Sequence, residues 1–213
     1  MARRETGRTR LTGPLGKSAA FARPAAAALG GLLAALFLGG CAAKGARVTY
    51  HDSNMDFSLV QSVAVMPFTN LTTNTGAGDR VRDVVMTMLQ ATGSVYVIPP
   101  GEVARGVSRS SISEPRSPTP EEAVALCKML KADAVMVGTV REYGEVRSGT
   151  SSANVISLSL SLMEAQTGRV VWSASSTKGG VKTATRLFGG GGQPMDVVTE
   201  DAVDDLLEKL FKK

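Results

Sequence analysis

Ser62-Val63-Ala64-Val65-Met66-Pro67-Phe68 is the stretch of sequence that decides the fold. Its apolar and β-branched residues follow one another without alternation, as in a strand buried on both faces, and the proline ends the run because it has no N–H for a strand ladder. Ala134 to Val140 is a second such run, and Tyr96 to Ile98 is a short strand stopped by two prolines. Helical patterns separate these strands, and this order predicts an α/β layer with parallel pairing at its centre.

Two amphipathic helices are predicted between the three strands. From Asp79 to about Gly93, apolar residues recur at spacings of three and four. The second helix starts at Thr119-Pro120-Glu121-Glu122, where a threonine can cap, a proline is tolerated and Glu122 can complete a capping box, and it ends near Lys131. Gly101 to Val107 is expected to form one or two helical turns, and the polar segment Ser108 to Pro118 is expected to be a surface loop.

The second half of the chain has a different pattern. Val155 to Met163 alternates leucine or isoleucine with serine, which predicts a strand with one buried face and one wet face. Ala165 to Gly168 supplies a turn, and Arg169 to Ala174 returns as the hairpin partner. An amphipathic helix runs from about Pro194 to the C-terminus. The predicted fold is therefore a mixed α/β sheet with a parallel centre and an antiparallel C-terminal hairpin, flanked by helices.

The first 40 residues have the layout of an export signal. A basic head precedes an apolar middle from Pro24 to about Leu38, which is shorter than the about 20 residues of a spanning helix. Leu38-Gly39-Gly40-Cys41 resembles the lipobox of bacterial lipoproteins, with Leu38, Gly39 and Gly40 as the signal-peptidase recognition residues and Cys41 as the acylated one. A plain signal peptide or a short uncleaved anchor are the alternatives. We expect a signal peptide at 1–40, a lipidated tether at 41–58 and one periplasmic domain at 59–213.

The charge of the chain changes meaning once this leader is set aside. The whole chain is formally +5, but the leader holds six basic residues and one acidic residue, so the remainder carries 18 of each. A nucleic-acid partner thereby loses its main support. Acyl chains on Cys41 would fix the protein to a membrane. Ala42, rather than aspartate, follows the cysteine, and the resemblance to enterobacterial lipoproteins then implies the periplasmic face of the outer membrane.

Three motifs resemble those of a TolB-N-like superfamily. They are Val63 to Thr72 ("VAVxPFxNxT"), Lys131 to Val140 ("ADxxxxGxV") and Leu158 to Trp172, a hairpin whose turn and second strand carry "TGxxxW". Lipoprotein members of this superfamily include the curli secretion channel subunit CsgG and outer-membrane activators of peptidoglycan synthases. The resemblance implies a TolB-N-like fold and a binding role in cell-envelope assembly, without catalytic residues.

The curli subunit also inserts two β-hairpins per chain into the outer membrane, and the matching regions here differ. Arg141 to Asn154 is short and carries four charged residues, which makes a poor lipid-facing strand. Thr183 to Gly192 is mostly glycine and polar residues. We therefore expect a non-enzymatic scaffold or regulatory factor with a periplasmic or outer-membrane protein partner and a possible homo-oligomer. A subunit of an oligomeric secretion channel is the alternative, and a lipid-anchored hydrolase is a third hypothesis.

Several residues that could carry chemistry are better explained structurally. Cys127 lies among apolar helix residues and is expected to be a buried, inert thiol once Cys41 is acylated, although two cysteines of an exported protein could also pair. The only histidine, His51, is far from Cys127 in sequence and offers no catalytic pair. No histidine/cysteine metal spacing occurs, so we expect no metal, cofactor or catalytic site.

Two glycine-rich segments and two charged groups complete the candidates. Gly189 to Gly192 lacks the lysine of a P-loop, and Gly76-Ala77-Gly78 lacks the third glycine of a dinucleotide fingerprint. The acidic residues of the last helix are expected to form a solvated face; they are Glu200, Asp201, Asp204, Asp205 and Glu208. Three arginines in or beside the polar loop, Arg105, Arg109 and Arg116, are candidates for contact with an acidic partner. The strand Val155–Met163 and the loop Ser108–Pro118 are the predicted partner surfaces.

Overall fold

The computed structural model describes residues 49–149, 151–180 and 192–212. The predicted lipobox and Gly189 to Gly191 lie outside these ranges, so the acylation site remains a sequence prediction. The described chain forms one seven-stranded mixed sheet with four helices, which confirms the mixed α/β prediction; the TolB-N-like assignment stays a prediction. Within these ranges, no helix combines the length and the apolar character needed to cross a bilayer.

The elements follow one another along the chain in a simple order. The strands are β1 (Thr49–His51), β2 (Ser62–Val65), β3 (Thr69–Asn70), β4 (Tyr96–Val97), β5 (Ala134–Ser148), β6 (Ser151–Glu164) and β7 (Val170–Gly179). The helices are α1 (Ala77–Ala91), α2 (Pro100–Arg109), α3 (Pro120–Leu130) and α4 (Met195–Phe211), and a 3₁₀ turn spans Phe57–Leu59. The order in the sheet is β1-β7-β6-β5-β2-β4, with β3 continuing the edge of β5.

The parallel half of the sheet is buried on both faces, as the run from Ser62 predicts. β2 pairs in parallel with β4 and β5, and Val63, Ala64 and Val65 are all buried. Their side chains alternate between two cores, one beneath α1 and α4 and one beneath α2 and α3. An unbroken apolar run fits this environment because neither face of the strand meets water.

Two motif residues fix the start and the end of this parallel pairing. The Asp133 carboxylate accepts hydrogen bonds from the N–H groups of Gln61 and Ser62 at 3.0 and 2.9 Å and from the Ser62 hydroxyl at 2.8 Å, which joins β2 to the chain entering β5. At the other end, Gly138 lies directly under the Phe68 ring, where an added Cβ would stand 2.7 Å from ring carbons. Glycine is therefore required there for close packing.

The helices begin and end close to the predicted positions. Thr119 accepts from the Glu122 N–H at 3.2 Å and the Glu122 carboxylate accepts from the Thr119 N–H at 2.8 Å, so the predicted capping box is present. Lys131, in the left-handed conformation, ends α3. The one or two turns predicted from Gly101 are instead the ten-residue α2. α4 buries Val198, Ala202, Val203, Leu206 and Leu207, but Val197 and Phe211 are exposed, although the amphipathic spacing of this helix also predicts them on its buried face.

The β5–β6 hairpin is longer than the sequence indicates. The strands predicted at Ala134–Val140 and Val155–Met163 are too short, because β5 continues to Ser148 and pairs with β6 up to Ser148↔Ser151, with one irregularity between Val140 and Glu142. Backbone hydrogen bonds hold the added residues together, and those bonds do not depend on hydropathy. The charged side chains of this part of β5, which make it a poor lipid-facing strand, are exposed.

The predicted tether at 41–58 is wrong for its last ten residues. Thr49–His51 forms β1, an antiparallel edge strand on β7 with His51 opposite Trp172. Asp56 accepts the Ser58 N–H at 3.0 Å and begins the 3₁₀ turn. An edge strand of three residues is too short to show an apolar period, which explains why the sequence pattern missed it.

Candidate functional site

A cleft of about 1120 Å³ opens at the end of the sheet where β2 and β4 begin. We call it the terminal cleft. Its walls are the segment His51–Gln61, the end of α1 with Ser94 to Tyr96, and the C-terminal end of α4. Three stretches far apart in sequence thus meet around one opening, and part of the predicted tether forms one of its walls.

The terminal cleft has an apolar floor and a rim that is partly aromatic. The floor combines buried residues of the core with half-buried residues of the walls, namely Val60, Val63, Leu89 and Leu162, and Met55, Phe57, Val95 and Leu210. On the rim, the Tyr96 side chain is 60% exposed and Phe211 is 40% exposed. An open apolar cavity of this size with exposed rings at its edge is typical of binding sites for ligands or for the side chains of another protein.

His51 holds one wall of the terminal cleft against α4. Its Nε2 donates to the Lys209 carbonyl at 3.0 Å. The ring makes edge-to-face contacts with Phe57, at a centroid distance of 5.5 Å, and with the buried Trp172 at 6.4 Å. With its imidazole held in this way, His51 has a structural role, and the thiol of Cys127 packs away from it in the other core under α2 and α3.

The carboxylate of Asp52 shapes the same wall. It accepts the Asn54 N–H at 2.9 Å and lies 4.0 Å from the Arg169 guanidinium, while the Asp52 N–H donates to the Val171 carbonyl at 2.8 Å. These contacts fix the chain where it leaves β1. The polar groups at this wall therefore serve to hold the apolar residues in place.

The two partner surfaces predicted from the sequence meet at a second, smaller cleft. The strand Val155–Met163 lies within β6, and its buried leucine face is confirmed. Its serine face is only partly wet: Ser157 is buried, and Ser159 and Ser161 line a cavity of about 280 Å³ that Arg116, Ser117 and Pro118 of the polar loop also line. We call this the serine cleft.

Hydroxyl groups dominate the sheet around the serine cleft. Ser161 donates to the Ser173 hydroxyl at 3.0 Å, and Thr177 donates to the Ser157 hydroxyl at 3.1 Å, so the serines bond across β6 and β7. α2 and α3 cover this face only near Val135 and Met163. Beyond these residues the face has no helix over it among the described residues.

The remaining candidates have structural positions. Cys127 is buried, which confirms that prediction, and burial, followed by the nearby Asp133 carboxylate, raises its thiol pKa to about 12. The acidic residues of α4 are exposed except Asp205, which is half-buried. Arg105, Arg109 and Arg116 are exposed and make no ion pair in the described part of the chain. Among the described residues no His, Cys, Asp and Glu side chains group as metal ligands.

Gly78, in the first turn of α1, has a packing role. Gly78 lies against the Phe68 carbonyl, from which an added Cβ would stand 3.1 Å. Gly76 is the N-terminal cap of α1, and glycine has no side chain that could accept a capping hydrogen bond. Close contact between the loop and α1 therefore accounts for a small residue at Gly78.

Comparison with known proteins places the chain in a family. A model of the family described as "Putative lipoprotein GNA1162-like" matches residues 50–209, about three quarters of the chain. None of the curated proteins matches the sequence.

Solved structures share the fold at low sequence identity. A variant of the PelC dodecamer from Paraburkholderia phytofirmans is 20% identical with a TM-score of 0.52, covering 76% of this chain and 98% of that one. The lipoprotein GNA1162 from Neisseria meningitidis is 17% identical with a TM-score of 0.52, covering 72% and 99%. The C-terminal domain of LpoB from Salmonella enterica is 15% identical with a TM-score of 0.43, covering 55% and 82%.

The family match confirms the lipoprotein-family part of the sequence-based prediction, whereas the specific relation to CsgG stays a prediction. The family match begins at residue 50, at β1, and ends at residue 209, within α4, so it spans both walls that His51 joins. The chain belongs to the GNA1162-like lipoprotein family.

Proposed function

We propose that this protein is an outer-membrane lipoprotein, anchored through acyl chains on Cys41, that acts in cell-envelope biogenesis as a non-enzymatic assembly or regulatory factor. It does so by binding another envelope protein in the terminal cleft. The single observation that carries this proposal is the open apolar cavity of about 1120 Å³ with exposed Tyr96 and Phe211 on its rim.

Physical arguments favour a protein ligand there. Aromatic side chains next to a desolvated apolar floor provide most of the binding energy in protein interfaces, where a few anchors dominate. The charged and titratable groups of the nearby wall are engaged in holding it, as His51 does with Lys209 and Asp52 does with Asn54. Groups so engaged support binding rather than proton transfer.

The anchor places this cleft in the envelope. Cys41 precedes β1 by eight residues, a span of at most about 29 Å when extended at about 3.6 Å per residue. A domain so tethered stays close to the membrane surface and meets periplasmic or membrane partners there. Replacing Cys41 by serine should abolish incorporation of labelled palmitate and release the protein from membranes; unchanged membrane association would refute the anchor.

The partner site is tested by a photoreactive amino acid placed at Tyr96 in intact cells. The matched control is Leu71, which is 65% exposed and follows β3 at the opposite end of the strands. We expect Tyr96 to give a discrete adduct with a different protein, and Leu71 to give no adduct with a different protein. Val95→Trp, which fills the floor, should remove the Tyr96 adduct while the protein stays folded.

Equal capture from Tyr96 and Leu71, or capture from Tyr96 that survives Val95→Trp, would rule out the terminal cleft as the partner site. Mass spectrometry of the adduct identifies the partner. An adduct made of a second copy of this chain would also count against the proposal, because the proposed partner is a different protein.

A further inference from the structure

The β5–β6 hairpin extends past the end of β3, and we call Tyr143–Gly149 with its β6 partners Ser151–Ile156 the arm. On the outer side of β5, pairing with β3 ends at Asn70↔Val140, followed by the bond from the Leu71 N–H to the Val140 carbonyl. Beyond this point, no strand in the described ranges pairs with the outer edge of β5. Among the described residues, the arm therefore presents an unpaired edge of about seven residues.

The register of the hairpin determines which backbone groups face outward. The Asn154 carbonyl accepts the Gly180 N–H at 2.8 Å, away from β5, so Asn154 and its partner Glu145 are a non-bonded pair of the β5–β6 ladder. Bonded and non-bonded pairs alternate along an antiparallel ladder, so Val146 bonds inward to Ala153, its partner in the register. The N–H and C=O groups of Glu145 and Arg147 then point away from β6 and need partners.

The side chains of this edge are complementary to themselves. Glu145, Val146 and Arg147 are all exposed, Val146 by 41%. If a second copy of the edge is laid antiparallel with Val146 opposite Val146, each Glu145 falls opposite an Arg147 of the other copy. The same register joins the outward backbone groups of Glu145 and Arg147 to each other, and it satisfies the rule that opposite residues share one face of a sheet.

We propose that two copies of this protein associate through the arm, by antiparallel pairing of residues 143–149 about Val146 to form one continuous sheet. Each pairing would contain two cross-strand Glu145–Arg147 ion pairs and one Val146–Val146 contact. Within one copy, Glu145 and Arg147 are 3.8 Å apart and both exposed, so a second edge can take over these charges at little desolvation cost.

Charged residues on an edge strand usually prevent edge-to-edge pairing, but the order of the charges on this edge favours pairing with a second copy. A row of lysines repels every approaching edge of the same kind. On this edge a negative and a positive residue flank Val146, so an antiparallel second copy of this chain places opposite charges across from each other. Because the paired strands are short, the contact is weak in solution, but two chains held on one membrane have a high effective concentration.

The test uses the full lipid-anchored chain in membranes. In Val146→Cys, two thiols meet at a non-bonded antiparallel pair, where Cα atoms lie about 4.5 Å apart and a disulfide can form. Mild oxidation should give a species of twice the mass. Val170→Cys is the matched control, because Val170 is 40% exposed on β7, and it should give at least tenfold less dimer.

Charge reversal distinguishes the register from chance collision. Adding Glu145→Arg to Val146→Cys places two guanidinium groups opposite each other in each cross-strand pair and should lower the dimer yield at least fivefold. Adding both Glu145→Arg and Arg147→Glu restores opposite charges and should return the yield to within twofold. A dimer yield that Glu145→Arg does not lower, or that the double reversal does not restore, would overturn the proposal. The terminal cleft lies at the other end of the sheet, so its test is independent of this one.

Discussion

The two halves of the sheet differ in how many of their faces are covered by helices, and the sequences of their strands differ accordingly. In the parallel half, helices cover both faces and consecutive residues of β2 are all buried. In the antiparallel half, α4 and α1 cover one face, where Leu158 and Leu160 are buried, while Ser159 and Ser161 on the other face stay half-exposed. The comparison shows that helix coverage decides the hydropathy pattern of a strand. A strand covered on both faces has a continuous apolar run, and a strand covered on one face alternates apolar and polar residues.

The first and largest expected effect tests this contrast within one strand. Leu158→Ala empties a site in the covered core and should lower the free energy of unfolding by about 3 kcal/mol. Ser159→Ala, one residue later on the open face, should change it by less than about 0.5 kcal/mol. Urea denaturation of both variants measures the difference. Similar losses for the two would show that the serine face is covered by something in the protein.

Thiol reactivity tests the same contrast across the two halves, in a Cys41→Ser background. Cys127 is buried and its pKa is raised to about 12, mainly by burial, so almost no thiolate forms at pH 8. A cysteine introduced as Ser159→Cys lies on the open face and should react with a disulfide reagent at least a hundredfold faster. Fast labelling of Cys127 without denaturant would mean that α3 opens readily.

Sequence reasoning succeeded where burial imposes a period on the chain. The runs of β2 and β5, the spacing in α1 and the alternation in β6 each follow from which faces helices cover. The capping box at Thr119 was predictable because its hydrogen bonds lie within four residues. These features are local, or they arise from coverage that repeats along an element.

The terminal cleft could not be predicted, because its residues come from segments far apart in the sequence and follow no hydropathy period. Its floor and rim come from His51–Gln61, the end of α1 with the residues up to Tyr96, and the end of α4. β1, which places His51, holds its position by backbone bonds to β7, and such bonds leave no hydropathy period. A histidine followed within six residues by Met55 and Phe57 was the one available signal, because these apolar residues break an otherwise polar segment.

A prediction of intermediate size concerns Asp133, which joins β2 to β5 in the parallel half. Asp133→Ala leaves the N–H groups of Gln61 and Ser62 without the carboxylate that accepts them. Hydrogen bonds to a charged acceptor stabilise by about 1.5–3 kcal/mol, so we expect a loss of about 2 kcal/mol in chemical denaturation. Asp133→Asn, which retains one acceptor oxygen, should lose less. If both variants match the original protein, the carboxylate does not determine the pairing.

The smallest expected effect concerns the carboxylate that fastens α4 to the antiparallel half. Asp205 lies 2.6 Å from the Lys209 ammonium and 3.6 Å from that of Lys178 on β7, and Lys209 also donates to the Ser175 carbonyl at 2.9 Å. Burial alone would raise the pKa of Asp205, but hydrogen bonding to the carboxylate, first of all from Lys209, and the two ammonium charges together outweigh burial and hold the pKa below its ordinary value of 3.8. The ionised form is therefore favoured by folding.

The sign of the pH dependence follows from that lowered pKa. The folded state binds the Asp205 proton less readily than the unfolded state, so the stabilisation is complete above the unfolded pKa and is lost as the pH falls through the folded pKa. Asp205→Asn should thus be less stable at pH 7, by under about 1 kcal/mol because the pair is partly solvated. The difference in melting temperature between the two proteins should narrow below pH 4. A difference that stays constant down to pH 2 would mean that Asp205 stabilises α4 through packing and not through its charge.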